Sequence, residues 1–243
     1  MGLLALISCS QRNDKLKNWM RDNSKIKVLA TTAQIGDLVQ EIGGDRADVW
    51  VLIQGELDPH SYELVKGDDE KLARSRLIFY NGLGLEHGAS LASTLRGSDH
   101  ALAVGEKIAA QVPEAILKRG AATDPHLWMD ISLWKQAVGP IVASLSEADP
   151  DGAYYYQERG KEVANRMQDT HEAILEIFQK IPKEKKYLVT SHDAFQYFAR
   201  AYLTGATAPE GLAPDGQLSP LDLKRMIDFL KNHEIEVLFS ESN

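Results

Sequence analysis

Cysteine is almost absent: the chain of 243 residues contains one, Cys9. A single thiol excludes an intrachain disulfide and a cysteine-based zinc cluster. Its place near the N-terminus excludes a cysteine nucleophile inside a folded site. Long apolar runs are also missing. The stretch Leu3–Ile7 is far short of the roughly 20 residues that a membrane-spanning helix needs. Basic clusters are lacking: 27 Lys+Arg against 35 Asp+Glu leave a net charge of −8, which argues against a nucleic-acid partner. There is no His-Glu-x-x-His element, no Walker A loop and no Gly-x-Ser-x-Gly elbow, and Gly82-x-Gly84 lacks the third glycine of a dinucleotide fingerprint. What remains is ordinary for a globular protein, 44% hydrophobic and 26% charged, and the length predicts one or two domains.

The one cysteine has an informative address. Leu6-Ile7-Ser8-Cys9 is similar to a bacterial lipobox, in which the cysteine is lipidated after cleavage. Residues 1–24 are accordingly read as a shortened lipoprotein signal and a polar tether, with the start of the signal missing.

From Lys25 the pattern alternates. β-branched and aliphatic runs at Lys25–Thr31, Ala47–Ile53 and Leu77–Tyr80 predict strands. Helical spacing predicts helices over Ala33–Ile42, Gly67–Ser75 and Leu85–Leu95, and from a cap at Ser132. This order predicts an α/β lobe over residues 25–148, with a mostly parallel sheet flanked by helices. Residues 149–182 then form one uninterrupted stretch, with Tyr156, Val163, Met167, Ile174, Phe178 and Ile181 on one face and Gly160 as its weak point. A rigid helix of this length can join two lobes. A second α/β lobe is expected over 183–243: a strand at Tyr187–Thr190, a helix at Ala194–Tyr202, a loop at Thr204–Leu218, a helix from Ser219-Pro220 and a strand at Glu236–Ser240. It holds few elements for a core, so this lobe is read as incomplete at its C-terminus.

Three of the seven histidines occupy equivalent places, next to the ends of strands. His60 lies in Asp58-Pro59-His60-Ser61, His126 in Asp124-Pro125-His126-Leu127, and His192 in Ser191-His192-Asp193-Ala194. Loops at the carboxyl ends of parallel strands converge on one crevice. Neutral imidazole is the commonest metal ligand, because it offers a directed lone pair. Asp58 and Asp124 are placed to accept a hydrogen bond from the non-ligating ring nitrogens and orient them. His171 and His233 are read as surface residues on helices, His100 as a solvated turn residue, and His87 as outside the cluster.

Four segments in order resemble one family: Asp58-Pro59-His60-Ser61-Tyr62-Glu63, Tyr80-Asn81-Gly82-Leu83-Gly84-Leu85-Glu86, Asp124-Pro125-His126-Leu127-Trp128-Met129-Asp130 and Ser191-His192-Asp193-Ala194-Phe195-Gln196-Tyr197-Phe198. The chain resembles the zinc-, manganese- or iron-binding solute-binding proteins of bacterial ABC importers, over about Lys27–Asn243. The resemblance implies His60, His126 and His192 as metal ligands. It also implies a divalent transition metal ion as cargo, a membrane permease as partner, a monomer in the periplasm or on the outer face of the cytoplasmic membrane, and no catalysis. The family's fourth ligand, a carboxylate, is expected beyond Asn243, with Glu241 as its neighbour. The stretch Ala109–Asp124 carries no histidine, unlike the metal-scavenging loop of many zinc carriers, which tilts toward manganese or iron, while three nitrogen ligands suit zinc or ferrous iron better, so the metal stays open. The alternatives are a metal-dependent hydrolase and an adhesin-like surface lipoprotein with a structural metal.

Overall fold

The computed structural model describes residues 15–212, 214 and 219–240; Cys9 and Glu241 lie outside them. Ile26–Ala30 (β1), Ala47–Val51 (β2), Leu77–Tyr80 (β3) and Ala101–Ala103 (β4) form a parallel sheet in the order β2-β1-β3-β4. The register pairs Val28 with Val49 and with Leu77, and Phe79 with Leu102. Every residue of β1 is buried, as expected for a central parallel strand covered on both faces. The pleat sends Val28, Ala30 and Phe79 into the larger core and Leu29 and Ile78 into the smaller one.

Helices cover both faces. Ala33–Gly43 (α1) buries Ile35, Leu38, Val39 and Ile42 in the larger core. Asp68–Arg74 (α2) and Ala89–Arg96 (α3) bring Leu72, Leu91 and Leu95 to the smaller one. Val104–Gln111 (α4) follows β4, an element the periodicity did not reveal because β4 is three residues long. A two-residue antiparallel ribbon, Lys118–Arg119 (β5) with Ala122–Thr123 (β6), leads to His126. The helix expected from Ser132 starts instead at Ile131: the Asp130 carboxylate caps it by accepting from Ser132 N and Leu133 N. After Ile131–Trp134 (α5) and a turn of 3₁₀ helix, it resumes as Val138–Ala148 (α6). The helix expected over Leu85–Leu95 begins only at Ala89, where the Glu63 carboxylate accepts from Ala89 N at 2.6 Å and Ser90 N at 2.9 Å.

The long stretch is a helix of 27 residues, Ala153–Gln179 (α7), about 40 Å end to end. Its N-terminal half buries Tyr156, Gly160 and Val163. Gly160 lies where α7 crosses α6 closely: a Cβ there would stand 2.6 Å from Val142 Cγ2. The other end meets Gln196–Tyr202 (α8), with the ring of Phe178 5.5 Å from that of Phe198.

Beyond α7, Tyr187–Val189 (β7) pairs in parallel with Gly205–Thr207 (β8). The second strand falls inside a stretch read as loop, since Gly and Ala carry no strand signal. The strand expected at Glu236–Ser240 is not formed; Phe239 N nonetheless donates to Val189 O at 2.9 Å, which sets this extended segment beside β7. Between them, Pro220–Asn232 (α9) is helical as expected. His171 and His233 are half-buried against rings, not solvated: His171 Nδ1 lies 2.8 Å from Tyr202 Oη, and His233 stacks 4.2 Å from Tyr187. Among the described residues, no helix is long and apolar enough to cross a membrane.

Candidate metal centre

His60, His126 and His192 meet. One ring nitrogen from each lies within 4.8 Å of the other two, and all three residues are buried. His60 Nε2 and His126 Nε2 are 3.2 Å apart, close to the separation of about 3.3 Å between neighbouring nitrogens in a tetrahedral zinc site. The rings lie at the wall of a cleft of about 520 Å³, between Thr32, Gln34 and Leu57 on one side and Phe195 and Ser240 on the other. His87 sits outside the set: its ring centroid is 5.8 Å from that of His60, but the residue is exposed and its Nδ1 lies 3.2 Å from Gly84 O.

The two Asp-Pro-His turns share one device and then diverge. In each, the aspartate accepts the histidine's own N–H, at 2.9 Å for Asp58 with His60 and 3.0 Å for Asp124 with His126. Asp124 also takes the ring, with Oδ1 2.8 Å from His126 Nδ1. Asp58 does not: its second oxygen is occupied by Ser61 N at 3.3 Å and Ser61 Oγ at 2.7 Å. The expectation that Asp58 orients the His60 ring is therefore corrected; it orients the backbone that carries the ring. The signal lay one residue further on, since Ser61 brings a competing hydroxyl donor and Leu127 brings none.

The electrostatics suit a cation. Burial pushes the His60 imidazole down to about 3, helped by the charges of His126, His192 and His87 and opposed by Asp58. His60 is thus held neutral, with its lone pair available. Burial raises the Asp58 carboxyl, but bonds from Ser61 Oγ and His60 N hold it below its ordinary value. Asp124 is 2% exposed, and its Oδ2 accepts no hydrogen bond among the described residues. A buried, half-satisfied carboxylate behind the His126 ring is best compensated by positive charge on the ring's far nitrogen. The three rings therefore fit a metal ion.

Residues not singled out for a role hold the loops together. Glu86 is buried and accepts from Thr31 Oγ1 at 2.6 Å, Asn81 N at 2.8 Å and Gly82 N at 3.0 Å. Burial raises its carboxyl, against the pull of these donors. Asn81 Nδ2 donates to Pro125 O at 2.9 Å, and His87 N to His60 O at 3.3 Å. One loop after β3 thus touches the backbone of both Asp-Pro-His turns. Tyr197, wholly buried, accepts from Leu117 N at 3.0 Å and donates to Asp124 O at 2.9 Å.

Residues 28–243 match the family described as zinc-uptake complex component A, periplasmic. The chain belongs to this family. It is 36% identical to the metal-binding protein YtgA of Chlamydia trachomatis over 255 residues, covering 99% of this chain and 78% of that one. The Fe(III)-bound YtgA crystal structure superposes with a TM-score of 0.86, over 90% of this chain and 81% of that chain. The periplasmic zinc-binding protein TroA of Treponema pallidum matches at 31% identity and a TM-score of 0.83, over 90% of this chain and 79% of that one. The manganese ABC transporter substrate-binding lipoprotein PsaA of Streptococcus pneumoniae is 28% identical, over 100% of this chain and 79% of the relative. The metal-uptake family has the α/β architecture described above, with its parallel sheet flanked by helices.

Proposed function

We propose that this protein is an extracytoplasmic solute-binding protein that captures a divalent transition metal ion between two lobes and delivers it to the membrane permease of an ABC importer. The observation that carries the reading is the convergence of His60, His126 and His192 from three separated loops at one buried point of a cleft. These three are the proposed ligands. The lobes are residues 25–148 and 183–243, joined by 149–182, and the ion is zinc, manganese or iron. Imidazole donors suit zinc and ferrous iron better than manganese, which favours oxygen. Relatives named for iron, zinc and manganese support the metal class without selecting among the three. The naming of PsaA as a lipoprotein supports anchoring through Cys9, and the carrier is read as a monomer.

A carrier fits the site better than a hydrolase. Metal-assisted hydrolysis needs a general base beside an open coordination position. Asp58 bonds backbone and Ser61, and Asp124 lies on the Nδ1 side of His126, away from the Nε2 that faces His60.

Zinc titration by calorimetry, with metal content measured by mass spectrometry on protein purified without added metal, tests the reading. His60→Ala, His126→Ala and His192→Ala should each weaken binding at least about tenfold, since each removes one bond of a small shell. His100→Ala, in an exposed turn, should bind as the parent does. Equal binding by all four variants would overturn the assignment.

A further inference from the structure

His126 and His192 belong to segments 66 residues apart, and little backbone structure fixes the second one. β7 ends at Val189 and α8 starts at Gln196. Between them, His192 O accepts from Thr190 Oγ1 at 2.8 Å and from Ala194 N at 3.0 Å. These bonds shape the turn locally, while the helix that follows it, α8, is held to the His126 segment by Tyr197 Oη on Asp124 O at 2.9 Å.

Among the described residues, two ion pairs cross between these segments: Arg200 on α8 with Asp130, at 2.9 Å, and Arg119 with Asp193, which is the one that reaches the turn itself. Arg119, on the short ribbon that runs into Asp124-Pro125-His126, places Nη1 2.8 Å from Asp193 Oδ2 and 3.3 Å from Glu210 O. Asp193 is the neighbour of His192. Its other oxygen accepts from Gln196 Nε2 at 2.6 Å, and its N–H donates to Gly211 O at 2.9 Å. A single arginine on the His126 side thus grips the residue next to His192 and the carbonyl of a loop that the same residue holds.

Charge gives the contact its direction. Asp193 and Asp124 sit on facing segments. Both line one small cavity of about 270 Å³ with Arg119. Removal of the guanidinium leaves two like-charged carboxylates in that cavity, with Lys118 on its wall as the remaining cation, and weakens the hold between the segments. The Asp193 side chain is only 10% exposed, so solvent compensates poorly, while Arg119 is 47% exposed.

We propose that Arg119 and Asp193 are positioning residues: their ion pair latches the His192 turn against the His126 segment and sets how fast a bound ion leaves. The latch touches no ion itself. It rests on the carrier reading above and adds a control of release to it. A latch of this kind acts on dissociation, because the two segments must part for the ion to lose His192, whereas encounter with the open cleft is unaffected.

The test is zinc release from the full chain into excess chelator, followed by stopped flow, with zinc association measured separately. Arg119→Gln and Asp193→Asn should each speed release about tenfold with little change in association. The double variant should be no faster than the quicker single, as expected for two residues of one interaction. Arg119→Lys, which keeps the charge but not the planar fork, should recover part of the loss. Arg46→Gln is the control: Arg46 holds Asp149 with Nε at 2.6 Å and Nη2 at 2.8 Å, an ion pair of the same type remote from the rings. It should lower the melting temperature of the metal-free protein and leave release unchanged. Parental release rates in Arg119→Gln and Asp193→Asn, or faster release in Arg46→Gln in step with its lost stability, would overturn the latch. A parent chain that binds no zinc, or His→Ala variants that bind like the parent, would overturn the carrier reading itself, and the two failures are distinct.

Discussion

The Asp124 carboxylate lies 2.8 Å from Nδ1 of His126, with both side chains about 2% exposed. A buried anion at that nitrogen holds the ring's proton there and leaves Nε2 as the lone-pair donor. Asp124→Asn keeps the shape and removes the charge. Zinc affinity should fall by about 10- to 100-fold, the usual effect of losing a carboxylate behind a ligating histidine. Asp58→Asn should do less to the ring, because Asp58 bonds backbone and Ser61. Calorimetry on the two variants side by side checks the ranking, and equal losses would contradict it.

Proton binding gives a second test on metal-free protein. The fold holds His60 at about 3, against about 6.5 in the unfolded chain. With the folded value depressed, this contribution to stability is complete above pH 6.5. It is lost as pH falls from there toward 3, where the unfolded chain binds a proton that the fold refuses. The melting temperature of the metal-free protein should drop between pH 7 and pH 5, and His60→Gln should flatten that slope. Parallel curves would show that His60 is not the group responsible.

Tyr197→Phe removes one hydroxyl and leaves the ring in place. It strands the part-buried N–H of Leu117 and the buried carbonyl of Asp124, whose bonds to Tyr197 measure 3.0 and 2.9 Å. A loss of about 1–3 kcal/mol in urea unfolding is expected. A change within error would mean that water replaces the hydroxyl.

Two glycines in helices should respond with opposite sign. A Cβ on Gly139 in α6 would have nothing within 4 Å, whereas a Cβ on Gly160 would meet Val142 Cγ2 at 2.6 Å and Val138 Cγ1 at 3.3 Å. Gly139→Ala should therefore stabilise by about 0.5–1 kcal/mol through helix propensity. Gly160→Ala should destabilise by about 1–2 kcal/mol, because crowding against a β-branched side chain outweighs that gain. Thermal unfolding of both variants in one buffer reads the two signs.

The chain alone determined the strand and helix order around β1, α1, β2 and β3, because each carries a local hydrophobic period. It also singled out His60 and His126, since Asp-Pro-His occurs twice and each copy builds its own turn from neighbouring atoms, and pointed to His192 by its place after a strand. Elements of two or three residues, such as β4 and β8, have too few positions for a period to register. Which aspartate reaches a ring was also written locally, in Ser61 against Leu127, and became readable only once the bonds were seen. The tertiary structure alone brought Arg119 to Asp193 across 74 residues and Tyr197 to Asp124 across 73. Local sequence sets turns and periods, whereas contacts between distant segments exist only once the helices and sheets have packed.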